Sequence, residues 1–299
     1  MQRKDFIKNS ALLAVAISTS GFIRFDGKRY VGDCETTSDV LGPFYRPDSP
    51  LRNNFVIQGE KGEPIELSGK IKHEDCTTPY QNAKVELWHC DHNGLYDNES
   101  PDFKYRGTVY SDEEGNYSFK TILPVPYGEG NNYRPAHFHL MISAEGYQPL
   151  VTQLYFVGDP WIGKDEMASS PTAKRRILEV KNLKDGSKKV AFDISMSKKL
   201  AADPAIFHRL EGIYIEEKEA GKAKELFKKD NQLWFKSNGM PFGQNLEYVS
   251  NNTFIIPGIP PKYNFSFVFE FMPSGAVKMM EVFQDEKGEK QVIVSIKKQ

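Results

Sequence analysis

Between residues 55 and 200 the chain is cut into short runs of alternating apolar and polar residues by clusters of turn formers. That period of two constrains its fold more than any other feature. The runs "FVIQG" (55–59), "IELSGKIKH" (65–73), "AKVELWHCD" (83–91), "YRGTVYSD" (105–112), "GNYSFKTIL" (115–123), "AHFHLMISAEG" (136–146), "LVTQLYF" (150–156), "RRILEVKNL" (175–183) and "KVAFDISMS" (189–197) each read as a strand. Breaks such as "EKGEP", "DEEGN" and "LKDGS" lie between them. No convincing amphipathic helix interrupts the series. The expectation is an all-β fold, an antiparallel β-sandwich over residues 30–203. After a linker at 199–206, "KLAADPAI", further short strands with "SG" and "EKGE" hairpin connections predict a small antiparallel β-sheet or barrel domain over residues 207–299. That unit holds one histidine, His208, and no cysteine, so it reads as an accessory domain that packs or binds.

The formal charge of -1 leaves no electrostatic footprint for nucleic acid or an anionic membrane surface. Residues 1–21 differ from the rest: "MQRKDFIKNS" is a basic n-region and "ALLAVAISTSG" an apolar h-region with small residues at Ala14 and Ala16. The expectation is an export signal, by the general secretory or the twin-arginine route, to a bacterial periplasm or cell envelope. The apolar run is too short for a stable membrane span. Three cysteines are too few for a disulfide scaffold and have no CxxC spacing. An oxidising compartment permits one disulfide, and Cys34 with Cys76 is the pair we favour.

"YRPAHFHL" (133–140) places two of the six histidines one residue apart. On a strand His137 and His139 leave one face, and Phe138 and Leu140 the other. A His-x-His pair alone is weak evidence for a metal, and no carboxylate stands at ligand spacing, so a zinc or two-histidine, one-carboxylate reading lacks its third ligand. Two strand-like runs upstream end in a tyrosine within a Gly- or Pro-rich turn, Tyr96 and Tyr127. A phenol ionises near neutrality only beside a strong Lewis acid, because its ordinary pKa is about 10. Two tyrosinates and a hydroxide would cancel the charge of Fe(III), and two neutral imidazoles would complete the set without burying net charge.

Five segments in order, "VLGPFYRPDSP" (40–50), "AKVELWHCDHNGLYD" (83–97), "GNYSFKTILPVPY" (115–127), "RPAHFH" (134–139) and "TQLYFVGD" (152–159), resemble the intradiol ring-cleavage dioxygenases, which include catechol, hydroxyquinol and protocatechuate dioxygenases. The resemblance covers about residues 35–200. It implies a β-sandwich carrying non-haem Fe(III), with Tyr96, Tyr127, His137 and His139 as ligands. It further implies Arg134 as the group that stabilises charge on the substrate, Gln153 as a lining residue, and Val40, Pro43 and Phe44 as apolar contacts of the ring. His89 corresponds to a non-ligand histidine. His92, expected on the other side of a strand, reads as structural too, Trp88 and Tyr155 read as core, and Tyr133 beside Arg134 could shape the pocket.

The implied activity is cleavage of a catechol-type ortho-diphenol with O2 to a cis,cis-muconate-type diacid, with Tyr127 as a proton acceptor. Catechol dioxygenases carry a long helical N-terminal segment where this chain has only a short stretch before "VLGPFY", so a more open pocket for larger phenolics is expected. The alternative is an exported sandwich that binds phenolics or glycans without catalysis.

Overall fold

Twenty-two strands, one α-helix and two short 3-10 helices form among the described residues of the computed structural model. Those residues are 23–25, 30–32 and 34–298, apart from 131, 199–201, 220, 230, 231 and 238. The expected export signal at 1–21 lies outside the described residues. Among those described, no helix is long and apolar enough to cross a membrane.

A lone hairpin, β1 (Ile23–Phe25) with β2 (Tyr30–Gly32), precedes the sandwich. The sandwich strands are β3 (Pro64–Lys72), β4 (Lys84–Trp88), β5 (Arg106–Tyr110), β6 (Asn116–Ile122), β7 (Tyr127–Glu129), β8 (Asn132–Arg134), β9 (His137–Ser143), β10 (Leu150–Phe156), β11 (Ile177–Leu178), β12 (Lys181–Asn182), β13 (Lys188–Ala191) and β14 (Ile194–Ser195). One sheet runs β11-β10-β9-β4-β5. The other runs β12-β13-β3-β14 with β6 also on β3, and β7 pairs β8 as a separate hairpin. Inward residues of both sheets, including Leu67, Val85, Leu87, Phe119, Phe138, Leu140 and Ile142, form the main core.

Three pairings depart from the antiparallel expectation: β10 with β11, and β3 with β13 and with β14, are parallel. Parallel neighbours need a long crossover rather than a hairpin, and the chain between Phe156 and Ile177 supplies one. "RRILEVKNL" is not one strand. Pro171 opens a 3-10 helix through Arg176, leaving only the short β11 and β12. "FVIQG" is a loop, because Asn54 Oδ1 takes the Val56 N–H and Glu60 N–H closes a turn onto the Ile57 carbonyl. The expected linker ends in a helix, α1 (Pro204–Leu210), capped by the Asp203 side chain on Ala205 N at 2.9 Å with Pro204 at its start.

α1 places Phe207 and Leu210 in a second core, enclosed by eight strands. These are β15 (Gly212–Glu216), β16 (Ala223–Lys229), β17 (Gln232–Ser237), β18 (Gln244–Ser250), β19 (Thr253–Ile255), β20 (Ser266–Phe271), β21 (Val277–Gln284) and β22 (Lys290–Lys297). They close into an antiparallel barrel through the pairing of β15 with β22. Alternation sorts β17: Leu233 and Phe235 fill the barrel, while Trp234 faces out and joins Leu41, Tyr45, Trp88, Met141 and Val151 of the sandwich.

Cys34 and Cys76 are disulfide-bonded, with Cα atoms 6.0 Å apart and a separation of 42 positions in sequence. Closing a loop of that length restricts the unfolded chain by roughly 4 kcal/mol. Reduction, or Cys76→Ser, is expected to lower unfolding stability by about 2–4 kcal/mol in urea titrations.

Candidate active site

The outer face of β9 and β10 answers the question raised by the two histidines. Phe138, Leu140 and Ile142 point into the sandwich core, and so do Leu154 and Phe156. The alternate residues His137, His139, Gln153 and Tyr155 point the opposite way, yet each is at most 1% exposed. The register sets His137 opposite Tyr155 and His139 opposite both Gln153 and Trp88. This polar face is covered from outside by the segment 36–45, whose Asp39 N–H donates to the Val151 carbonyl at 2.9 Å.

The two imidazoles meet at their Nε2 atoms, 3.0 Å apart. His137 Nδ1–H donates to the Pro135 carbonyl at 2.6 Å, which leaves its Nε2 with a lone pair facing the site. Trp88 stacks on His139 at 4.9 Å and fixes its plane. Burial pushes His137 down to about 3 and His139 well below its ordinary value, so both are neutral.

Tyr96 reaches the same point from the turn after β4. Its hydroxyl lies 3.4 Å from His137 Nε2. The turn is closed by Gly94 N–H on the Asp91 carbonyl, and Gly94 adopts φ +80°. A Cβ there would come within 2.7 Å of Tyr127 Cβ, so only glycine lets the Tyr96 turn press against Tyr127. Tyr127 opens β7, and its ring is 5.5 Å from Tyr96 and 5.6 Å from His137. Enclosure raises the pKa of both hydroxyls, Tyr96 also through the nearby Tyr127.

Arg134 lies directly across the hairpin from Tyr127. One guanidinium nitrogen donates to Gln153 Oε1 at 2.9 Å and to the Tyr155 hydroxyl at 3.3 Å. Its Nε sits 2.5 Å from Asp165 Oδ2, an ion-pair contact without hydrogen-bond alignment. Gln153 Nε2 donates to the Val40 carbonyl at 2.6 Å, and the Tyr155 hydroxyl lies 3.0 Å from Asp39 Oδ2. Asp39 is neutralised by Arg176, itself 2% exposed, at 2.5 Å. A buried carboxylate of this kind needs such a partner, since an unpaired one costs several kcal/mol, roughly 3–5.

Of the apolar residues expected at the substrate ring, Phe44 stacks on Tyr96 at 4.2 Å and meets Tyr127 edge-on at 6.1 Å. Val40 is half-buried and contributes its carbonyl, while Pro43 is exposed between Gly42 and Phe44. His89 is buried on the core side, bonded to the Cys90 carbonyl and Thr121, each at 2.7 Å. His92 is not on a strand. β4 ends at Trp88, because Asp91 Oδ1 takes the Asn93 and Leu95 N–H groups and starts a turn. Trp88 and Tyr155 are buried, but both serve the polar face as well as filling space. Tyr133 stacks on Trp161 at 4.6 Å.

Asp39, Asp165 and Arg176 escaped the sequence reading. Tyr155 carried a usable signal, since it stands two residues after Gln153 and so shares its face. The other three make contacts across long sequence separations that leave no local pattern.

Among the described residues, no group of three or more His, Cys, Asp and Glu side chains could hold a metal. The hydroxyl of Tyr96 is the side-chain oxygen nearest the paired imidazoles, with the Tyr127 ring beside it. Neutral imidazoles and phenols that burial keeps protonated would need a strongly Lewis-acidic cation before the phenols could ionise.

Comparison with known proteins gives the family. The family model described as a dioxygenase matches residues 40–198. The chain belongs to the intradiol ring-cleavage dioxygenase family. Catechol 1,2-dioxygenase of Candida albicans is 34% identical over 153 residues, which cover 44% of this chain and 50% of that protein. Chlorocatechol 1,2-dioxygenase of Rhodococcus opacus is 33% identical over 158 residues, covering 45% and 61%. Catechol 1,2-dioxygenase from Pseudomonas arvilla C-1 superposes with a TM-score of 0.50 at 25% identity, over 56% of this chain and 64% of that one. The chain thus spans 50% to 61% of these two curated relatives' lengths, and the family match ends before the barrel.

The neutral buried histidines give a pH dependence. His137 is depressed from 6.5 to about 3 and His89 from 6.5 to about 4, so the unfolded chain binds more protons below pH 6.5. Stability of the metal-free protein is expected to be flat above pH 7 and to fall as pH drops from 6.5 toward 3. Urea midpoints across that range check it, with the 6.5–5 window, above most carboxylate titration, the most diagnostic.

Proposed function

We propose that the protein is a non-haem Fe(III) intradiol dioxygenase, cleaving a catechol-type ortho-diphenol with O2 to a cis,cis-muconate-type diacid. The observation that carries this reading is the convergence of two phenols and two imidazole Nε2 atoms on one enclosed point beside the Arg134 guanidinium. Tyr96, Tyr127, His137 and His139 would hold the ion. When bound, Fe(III) supplies Lewis acidity that ionises the phenols and readies a bound diphenol for reaction with O2.

The chain's own groups then divide the work. Tyr127 lies at the start of a short hairpin, and enclosure raises its pKa, so its Oη is suited to take a proton from the arriving diphenol. Arg134 directs positive charge toward the side of the site where the ring gains electron density. Its guanidinium is held by Gln153 Oε1, whose amide is anchored on Val40, so it needs little reorganisation during reaction. Phe44, stacked on Tyr96, offers an apolar flank to an aromatic ring. The Cys34–Cys76 bond supports action outside the cytoplasm, in line with the signal-like residues 1–21.

Iron-loaded protein is expected to be strongly coloured by phenolate-to-iron charge transfer and to consume O2 with catechols. A colourless, inactive iron-loaded protein would instead favour a binding module. Tyr127→Phe is expected to shift and weaken the visible band and lower kcat by roughly 10²–10⁴-fold. Arg134→Gln should keep the band and lose roughly 10²–10³-fold in kcat, measured by oxygen uptake.

A further inference from the structure

Among the described residues, three contacts between the barrel and the dioxygenase unit lie next to groups of the candidate site. Gly258, at φ +84°, packs on the backbone of the covering segment. A Cβ on it would stand 2.2 Å from Asp39 C and 2.4 Å from Val40 N, an approach only glycine permits. Asp39 and Val40 are the residues that hold Tyr155, Arg176 and Gln153. Trp234, turned out of the barrel by the alternation of β17, lies 6.3 Å from the Tyr45 ring, which meets Trp88 edge-on at 5.2 Å, and Trp88 is the ring stacked on His139. Its cross-strand neighbour on that outward face is Phe227, and Asn245 opposite it is only 3% exposed. Finally, Lys262 donates to Glu166 Oε1 at 2.6 Å and Tyr263 donates to Glu166 Oε2. Glu166 follows Asp165, the ion-pair partner of Arg134.

We propose that the C-terminal barrel is a positioning element of the active site, with Trp234 and Gly258 holding the covering segment 39–45 and Trp88 against the outer face of β9 and β10, and Lys262 with Tyr263 steadying the Asp165 loop. The inference rests on the dioxygenase reading for its catalytic consequence and on contacts alone for its structural one. The three contacts are unequal. An exposed ion pair such as Lys262–Glu166 is screened by water and contributes little. The buried indole and the backbone approach of Gly258 carry most of the coupling, since close-packed contacts transmit displacement directly. A displacement of about 1 Å at a positioned guanidinium is enough to cost on the order of 10²-fold in rate. Trp234, Gly258, Lys262 and Tyr263 act through Tyr45, Trp88, Asp39, Val40 and Glu166, so they are positioning rather than catalytic residues.

The test uses the full chain and two variants, Trp234→Ala and the pair Lys262→Met with Tyr263→Phe. Amide hydrogen exchange of metal-free protein is followed at residues 37–46, at 161–168 and in the barrel strands. Trp234→Ala is expected to speed exchange at 37–46 about tenfold with the barrel strands unchanged, and to lower kcat on the order of tenfold while KM moves less than twofold. Unchanged exchange at 37–46 would overturn the proposal. Should Trp234→Ala also loosen the barrel strands, the exposed Lys262/Tyr263 pair decides: faster exchange confined to 161–168 supports it and no change there overturns it. If wild-type protein cleaves no diphenol, the dioxygenase reading fails, while the exchange comparison still decides the coupling.

Discussion

A polar face buried on the outside of a sheet is the constraint on which the rest of this molecule depends. β9 and β10 are enclosed on both sides, although only one side meets the opposing sheet. Leaving His137, His139, Gln153 and Tyr155 open to water would make them an ordinary solvated face. Enclosing them makes each unpaired donor or acceptor costly: His137, Gln153 and Tyr155 acquire partners, while His139 keeps an unpartnered Nδ1 and meets His137 through its Nε2. The covering segment therefore carries its own polar groups, chiefly Asp39 and the Val40 carbonyl, and Asp39 in turn requires Arg176.

Charge follows the same logic. Two ion pairs, Arg134 with Asp165 and Arg176 with Asp39, flank Gln153 and Tyr155, so these four groups add no net charge. The imidazoles are held neutral and the phenols protonated when no cation is near. A trivalent ion would reverse the phenol preference, and His137, whose Nδ1–H is held by the Pro135 carbonyl, would meet it with the lone pair of Nε2.

What the sequence disclosed was whatever is periodic or local. Alternation in "YRPAHFHL" separates the histidines from Phe138 and Leu140 without any tertiary knowledge, and the β-rich pattern beyond residue 207 foretells a small sheet or barrel. Turn chemistry was less legible: Asp91 ends β4 early and moves His92 off the strand, and Pro171 replaces a strand with a 3-10 helix. The parallel edge pairs were invisible, because direction is fixed by where a long crossover returns. Asp39, Asp165 and Arg176 were missed for a related reason. Arg176 meets Asp39 across 137 residues, and nothing in either neighbourhood marks the match.

Barrel closure has a consequence for recognition. With β15 joined to β22, the ring presents no free row of backbone amides and carbonyls of the kind an extended peptide could extend as an added strand. Whatever the C-terminal module meets beyond its own chain must consequently be recognised through side chains on the outer wall or in the loops that join the strands.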